Sequence, residues 1–197
     1  MPPGAARPSA PFRILVVCTA NQCRSPLVEF ALRRRCRQQG LDWSISSAGT
    51  RAMPGEPVHP YVRRLLEGHG DDQAGWASQR LSAELIGSAD LVLASALDNR
   101  NQAVRLCPEA ATRTFLLLPF ARACGVWADG LGTTRDSAET LRRRVAEIRQ
   151  RLPATEQGAD LPDPIGRRYR VFRQLDRTVE AATDEVIGRH PSSASGW

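Results

Sequence analysis

Phe12–Cys18, FRILVVC, is an apolar run rich in branched side chains. A run of this length without polar alternation forms a strand buried on both faces, as in the centre of a parallel sheet. A short polar loop follows, and then Ser25-Pro26, which reads as an N-cap serine with proline at the first helical position. The predicted helix covers Pro26–Gln39, with Leu27, Phe30, Ala31 and Leu32 inward, Arg33–Arg35 mainly outward, and Gly40 as its stop. The alternation then repeats. Strands are predicted at Trp43–Ala48, Asp90–Ser95 and Thr112–Pro119. Helices are predicted at Pro60–Gly68, Ser82–Ser88 (Ser82 as cap), Leu97–Leu106, Ala138–Leu152 and Arg168–Gly188. Residues 121–137 are Gly-rich and read as irregular. The order specifies an α/β fold, a three-layer sandwich with a central four-stranded parallel sheet and helices on both faces. Such sheets bind ligands at the carboxyl ends of their strands. For the first strand that end is Cys18.

The chain has 197 residues, which suits one domain, expected at 12–188, between flexible tails at 1–11 and 189–197. Hydrophobic residues at 42% and charged residues at 24% exclude global disorder. The net charge is +6, and all 27 basic residues are arginine, which points first to GC-rich coding DNA. They are dispersed, and no aromatic-rich basic strand or helix-turn-helix signal accompanies them, so nucleic acid is not an expected partner. No apolar run reaches membrane-spanning length, and MPPGAARPSAP lacks the apolar core of a secretory signal. Five cysteines form neither a disulfide framework nor a metal knuckle, so a reducing cytoplasm is the expected compartment. No metal-ligand cluster is visible, and His59, His69 and His190 read as isolated and solvent-facing.

The chemistry-bearing stretch is Cys18-Thr19-Ala20-Asn21-Gln22-Cys23-Arg24-Ser25-Pro26. Its core, C-x5-R, is weak alone: this composition supplies roughly one such pair by chance. A second match, Cys107–Arg113, runs from a helix into a strand and contains Pro108 and Glu109. Only the first lies between a strand and a helix N-terminus and lacks acidic residues. Loop amides from Thr19 to Ser25 can converge on one anion, and the helix adds its positive end. Arg24 can grip two phosphate oxygens. Such surroundings lower a thiol pKa from near 8.5 to roughly 3.5–7.5, making Cys18 a thiolate nucleophile, with Ser25 donating to it. Asn21 tolerates the left-handed backbone of a tight loop. Without this context Cys18 is an inert strand-end cysteine.

VVCTANQCRSP resembles the phosphate-binding loop of the low-molecular-weight protein tyrosine phosphatases, approximately V-C-x-G-N-x-C-R-S-P. Ser46-Ser47-Ala48-Gly49-Thr50 is similar to the family's S-A-G-T. Asp90–Ser95 with Asp98 and Asn101 is similar to its third strand and following turn. Leu161-Pro162-Asp163-Pro164 is similar to the general-acid loop, I-P-D-P in bacterial members. The resemblance covers roughly residues 12–188. It implies a cysteine-dependent phosphatase acting on a phosphate monoester, foremost protein phosphotyrosine, through a phosphocysteine on Cys18. Arg24 would stabilise the phosphoryl group, and Asp163 would serve as general acid and then base. Thr19 to Ser25 would bind phosphate, phosphate-like oxyanions would inhibit, and no cofactor or metal is needed. Cys23 is open to two readings: a small packed residue, or a partner that protects Cys18 through a reversible disulfide.

The chain departs from the pattern at several places. Ala20 replaces glycine, so it must occupy an ordinary backbone region. Gln22 stands where an apolar residue or threonine is common. Met53 and Ile165 stand where aromatic walls usually sandwich a phenyl ring, with Tyr169 and Trp76 as substitutes from elsewhere. Phosphosugar, phosphoarginine or another small phosphate is the alternative substrate. Arsenate reduction on the same fold needs relay cysteines, which segment 60–100 lacks and for which Cys107 and Cys124 are poorly placed. A non-catalytic phosphate-binding module is a further alternative. Arg167, Arg168, Arg170 and Arg173 follow the acid loop, and they read as the solvated start of a basic helix or as an attraction for acidic substrates.

Overall fold

The computed structural model describes residues 10–126, 130–132, 136–152 and 159–188. Both tail assignments and His190 fall wholly or mainly outside this set. Four strands, β1 (Phe12–Cys18), β2 (Trp43–Gly49), β3 (Leu91–Ala94) and β4 (Thr114–Leu116), form one parallel sheet in the order β2-β1-β3-β4. Seven α-helices surround it: α1 (Arg24–Gln39), α2 (Pro60–Gly68), α3 (Ala83–Ser88), α4 (Leu97–Leu106), α5 (Leu117–Val126), α6 (Ala138–Arg151) and α7 (Tyr169–Ile187).

β1 shows why its sequence is continuously apolar. Ile14 and Val16 join the large core under α1, α5 and α7, whereas Leu15 and Val17 join a second core with Val92 and Ala103 on the opposite face. The sheet is therefore covered on both faces, as the alternation of strands and helices required. Because β1 pairs with β2 on one edge and β3 on the other, the chain reverses direction across the sheet at β1. A crevice opens there, at the carboxyl end carrying Cys18.

Several expectations need correction. Helix α1 begins at Arg24, with Cys23 at its cap, so Ser25 is not the N-cap. Pro26 still fits, because the amide it lacks is one of the first-turn donors that have no helical partner. The fourth strand stops at Leu116, and LLPFARACGV forms α5, which takes up the first part of the stretch read as irregular. A short apolar run does not distinguish a buried strand from a buried helix, and Pro119 in the first turn did not signal a helix. Pro108–Arg113 forms a 3-10 turn that the sequence did not announce.

The Arg33–Arg35 triplet is not a solvated face. Arg34 pairs with Asp71 and Glu180, and Arg35 pairs with Glu180 and Asp184, tying α1 to α7. Arg33 reaches back to Glu29 and to the Ile45 carbonyl. The histidines are not isolated either. His59 stacks on Phe172 and accepts the Tyr61 amide at the start of α2, and His69 meets the Asp176 carboxylate at 3.1 Å. On α6, Arg142 pairs with Asp90, and Arg144 with Asp136.

Burial opposes charge on Glu180, but Arg35 and Arg34 outweigh it and hold its pKa below the ordinary glutamate value. A depressed carboxylate stabilises the fold above its unfolded pKa, and that contribution is lost as pH falls through the folded value. Arg35→Ala leaves Glu180 and Asp184 without this partner and should cost about 3 kcal/mol at neutral pH. Denaturant titrations of both proteins should show the gap closing in acid, below the ordinary glutamate range.

Candidate active site

The loop between β1 and α1 is shaped by where its carbonyls go. The Cys18 carbonyl accepts the Thr50 amide at 2.9 Å, Thr19 accepts Arg51 at 2.8 Å, and Gln22 accepts His59 at 3.0 Å. With these carbonyls tied to neighbouring backbone, loop amides other than that of Asn21, which turns to the Cys18 sulfur, are left to serve an anion. Asn21 takes the left-handed conformation, φ 55°, as its residue type allows. It is the one non-glycine residue at positive φ among the described residues, so Ala20 lies in an ordinary region despite replacing glycine.

Asn21 is also the tie between elements. Its side-chain amide donates to Ser25 Oγ at 2.9 Å and Ser47 Oγ at 2.8 Å, and its oxygen accepts the Gln79 amide at 2.9 Å. Ser47 donates to Glu29, which also accepts Trp76 Nε1 at 3.0 Å and pairs with Arg33. Glu29 is buried, and burial raises its pKa against the pull of Arg33, Ser47 and Trp76. Sequence reasoning missed Glu29 and Gln79. Glu29 had a legible signal: Ser25, Glu29 and Arg33 form an i, i+4, i+8 stripe on α1. Gln79 binds Asn21 through its backbone amide and the Ser47 carbonyl through its side chain at 2.8 Å, contacts that no local sequence pattern announces.

Cys18 is buried at the floor. Its Sγ accepts from the Asn21 amide at 3.2 Å and from Ser25 Oγ at 3.0 Å. Of the two roles read for Ser25, donor to the sulfur and helix cap, the structure has the first and not the second. Burial pushes the thiols of Cys23, Cys36 and Cys124 up to about 12, and Cys107 is raised as well. For Cys23, the neighbouring Cys18 adds to the effect of burial. Cys107 and Cys124 are core residues, and no disulfide joins the five cysteines.

Arg24 opens α1, whose first turn contains no carboxylate. Its Nη2 donates to Thr19 Oγ1 at 3.2 Å and to Asp163 Oδ2 at 2.8 Å. Asp163 arrives from far along the chain by specific anchors. Leu161 donates its amide to the Ser95 carbonyl at 2.8 Å, and Asp160 accepts the Leu97 amide at 2.9 Å, capping α4 from outside. Asp163 Oδ1 accepts the Ile165 amide at 3.1 Å, so a turn fixes the carboxylate. Its side chain is 52% exposed. Asn99, rather than the Asp98 and Asn101 of the sequence match, reaches the loop, donating to Thr19 Oγ1 at 3.2 Å. Asp98 instead binds Gln102 on the exposed side of α4.

Residues 13–128 match the family model described as low molecular weight phosphotyrosine protein phosphatase. The chain belongs to this family. A protein-arginine-phosphatase of Geobacillus stearothermophilus is 35% identical over 145 residues, covering 70% of this chain and 95% of that relative. A low molecular weight protein-tyrosine-phosphatase of Escherichia coli is 35% identical over 103 residues, covering 52% and 67%. The solved low molecular weight protein tyrosine phosphatase of T. tengcongensis superposes with a TM-score of 0.68 at 25% identity, over 89% of this chain and 97% of that one.

Met53 is 70% exposed and Ile165 50% exposed. Trp76 is not a wall: it packs on Phe30 and binds Glu29 away from the sulfur. Tyr169 lies tilted against Tyr61, with ring centroids 5.2 Å apart, and Arg64 lies over its ring.

Gly49 packs closely against the loop. A Cβ there would lie 2.7 Å from the Thr19 carbonyl oxygen and 2.8 Å from the Asn21 amide nitrogen. Gly49→Ala must displace the loop backbone, and should weaken phosphate binding by about tenfold or more. The check is the phosphate-dependent rise in melting temperature, which the variant should largely lose.

Proposed function

We propose that this phosphatase uses Cys18 as nucleophile, Arg24 as phosphoryl-binding residue and Asp163 as general acid and base. The observation that carries the reading is the Arg24–Asp163 contact at 2.8 Å, which brings together residues 139 positions apart beside the Cys18 loop. Cys18 attacks phosphorus in line, Asp163 protonates the departing atom, and Arg24 with the loop amides holds the three oxygens. Asp163 then takes a proton from water as it hydrolyses the phosphocysteine. Arg24 must first exchange the carboxylate for phosphate, so substrate binding itself frees the acid. Phosphate-like oxyanions would compete for the same place. The reaction asks for no metal, and the cytoplasm is the compartment that suits a reduced nucleophilic thiol.

The substrate we infer is a phosphorylated protein side chain, with phosphoarginine favoured over phosphotyrosine. Met53 and Ile165 supply aliphatic contact but no stacking partner for a phenyl ring. Asp163 already accepts a guanidinium proton, from Arg24, which is the group a phosphoarginine would present. The relative matched over the greater part of this chain is named for arginine dephosphorylation. Phosphotyrosine remains the second reading, supported by the family's name and the E. coli relative.

A protective role for Cys23 fits its place on the loop. A peroxide would convert the Cys18 thiolate to a sulfenic acid, and the Cys23 thiol would displace water from it to give a disulfide that thiols reduce.

Phosphate release from matched phosphoarginine and phosphotyrosine peptides tests the assignment. Wild type should turn over the phosphoarginine peptide faster, and Cys18→Ser should turn over neither. Asp163→Asn should lose about 100-fold or more on the poorer leaving group while binding inorganic phosphate more tightly, because a competing carboxylate is gone. Faster phosphotyrosine turnover would reverse the substrate order. Wild-type rates for Asp163→Asn would remove it from the mechanism.

A further inference from the structure

Some arginines are held in ion pairs: Arg33 with Glu29, Arg34 and Arg35 with Asp71, Glu180 and Asp184, and Arg142 with Asp90 and Glu139. Others are exposed and in no ion pair among the described residues, and these occur along the whole chain, Arg63, Arg105 and Arg122 among them. Five of them stand on segments tied to the site. Arg51 is exposed, and its own amide is bonded to the Thr19 carbonyl of the phosphate loop. Arg167 and Arg168 are exposed in the turn that leaves Asp163, where the Arg167 amide binds the Pro164 carbonyl. Arg170 follows in the first turn of α7, and Arg64 lies over Tyr169 at 4.8 Å on the neighbouring α2. Among the described residues, none of these five forms an ion pair.

The five come from three separate segments, yet each is tied by backbone or ring contact to the phosphate loop, the acid loop or the start of α7. The Arg24–Asp163 contact joins the Cys18 loop, to which the Arg51 amide is bonded, to the acid loop that leads into Arg167. Cations in the first turn of α7 also oppose the helix dipole, a placement that fold stability alone does not favour. The bland reading of Arg167, Arg168 and Arg170 as a solvated helix start leaves out Arg51 and Arg64, which are remote in sequence.

We propose that this arginine collar is a docking surface for an acidic peptide segment flanking the phosphorylated residue of a protein substrate. The proposal rests on the phosphatase reading above and adds to it a sequence preference outside the phosphate pocket. A neutral rim would select by shape, whereas unpaired exposed guanidiniums select by charge and raise the encounter rate with anionic chains. The preference must be salt-sensitive, because every collar group is exposed.

The test compares two peptides with the same phosphorylated residue, one flanked by aspartate and glutamate and one by serine and glycine. Wild type should show about a tenfold higher kcat/KM for the acidic peptide, carried by KM, as expected for several exposed ion pairs together. Raising ionic strength from about 0.05 M to about 0.5 M should erase most of that advantage. The double variant Arg51→Ala, Arg167→Ala should lose the preference while keeping wild-type turnover of p-nitrophenyl phosphate. Binding of both peptides to Cys18→Ser, which needs no turnover, reads the collar independently of the catalytic assignment. Equal affinity for the two peptides there, or a preference that survives the double variant, would overturn the collar. Absence of turnover with the preference still present in binding would count against the catalytic reading alone. A stronger response to a single-stranded oligonucleotide than to the acidic peptide would also overturn the proposal, reassigning the surface to nucleic acid.

Discussion

The site depends on one backbone arrangement: the carbonyls of Cys18, Thr19 and Gln22 are turned outward and held by the amides of Thr50, Arg51 and His59. A loop left free would spend those carbonyls on its own amides, and no anion site would remain. The partners lie just beyond β2 and at the start of α2, so the sheet edge builds the cradle. Close approach is the condition for it. Gly49 stands where any side chain would push the Thr19 carbonyl and the Asn21 amide away. Asn21 locks the result, with a left-handed backbone and a side chain that spans to Ser25, Ser47 and Gln79.

Electrostatics divides the molecule into a structural and a reactive part. Behind the loop, Glu29 is buried and satisfied by Ser47, Trp76 and Arg33, so its carboxyl group ties the scaffold together. A half-satisfied carboxylate there would cost more than an apolar residue. The α1–α7 face uses the same device, with Arg34 and Arg35 clasping Glu180 and its neighbours. At the reacting end one carboxylate, Asp163, faces one guanidinium, Arg24. That pair is half-exposed and exchangeable, which is what a site needs if phosphate is to take the carboxylate's place.

Much of this was legible in the sequence because it rests on local pattern. FRILVVC specified a strand buried on both faces, Pro60–Gly68 and Leu97–Leu106 had helix patterns bounded as observed, and Cys18–Pro26 carried its chemistry in adjacent residues. What escaped was set by tertiary contact. Ser25 looks like a cap as well as a sulfur donor until the helix is seen to begin at Arg24, and Leu117–Val126 looks like strand and loop until both sides are buried. The arginines of α1 look solvated until α7 brings Glu180 and Asp184. Asp163 lies in an ordinary Asp-Pro turn, and only the resemblance to the family singled it out. Its anchors, a backbone carbonyl at Ser95 and the outside cap from Asp160, leave no periodic signature.

The central claim is that phosphorus passes through Cys18. The most direct measurement is rapid quenching during turnover of p-nitrophenyl phosphate, whose leaving group departs without protonation, by Asp163→Ala, whose slowed second step then lets the intermediate accumulate, followed by mass mapping of the phosphorylated peptide. The account predicts a phosphoryl group on the peptide containing Cys18, absent when Cys18 is also replaced by alanine. A phosphoryl group on another residue, or phosphate release by Cys18→Ala at the wild-type rate, would contradict it.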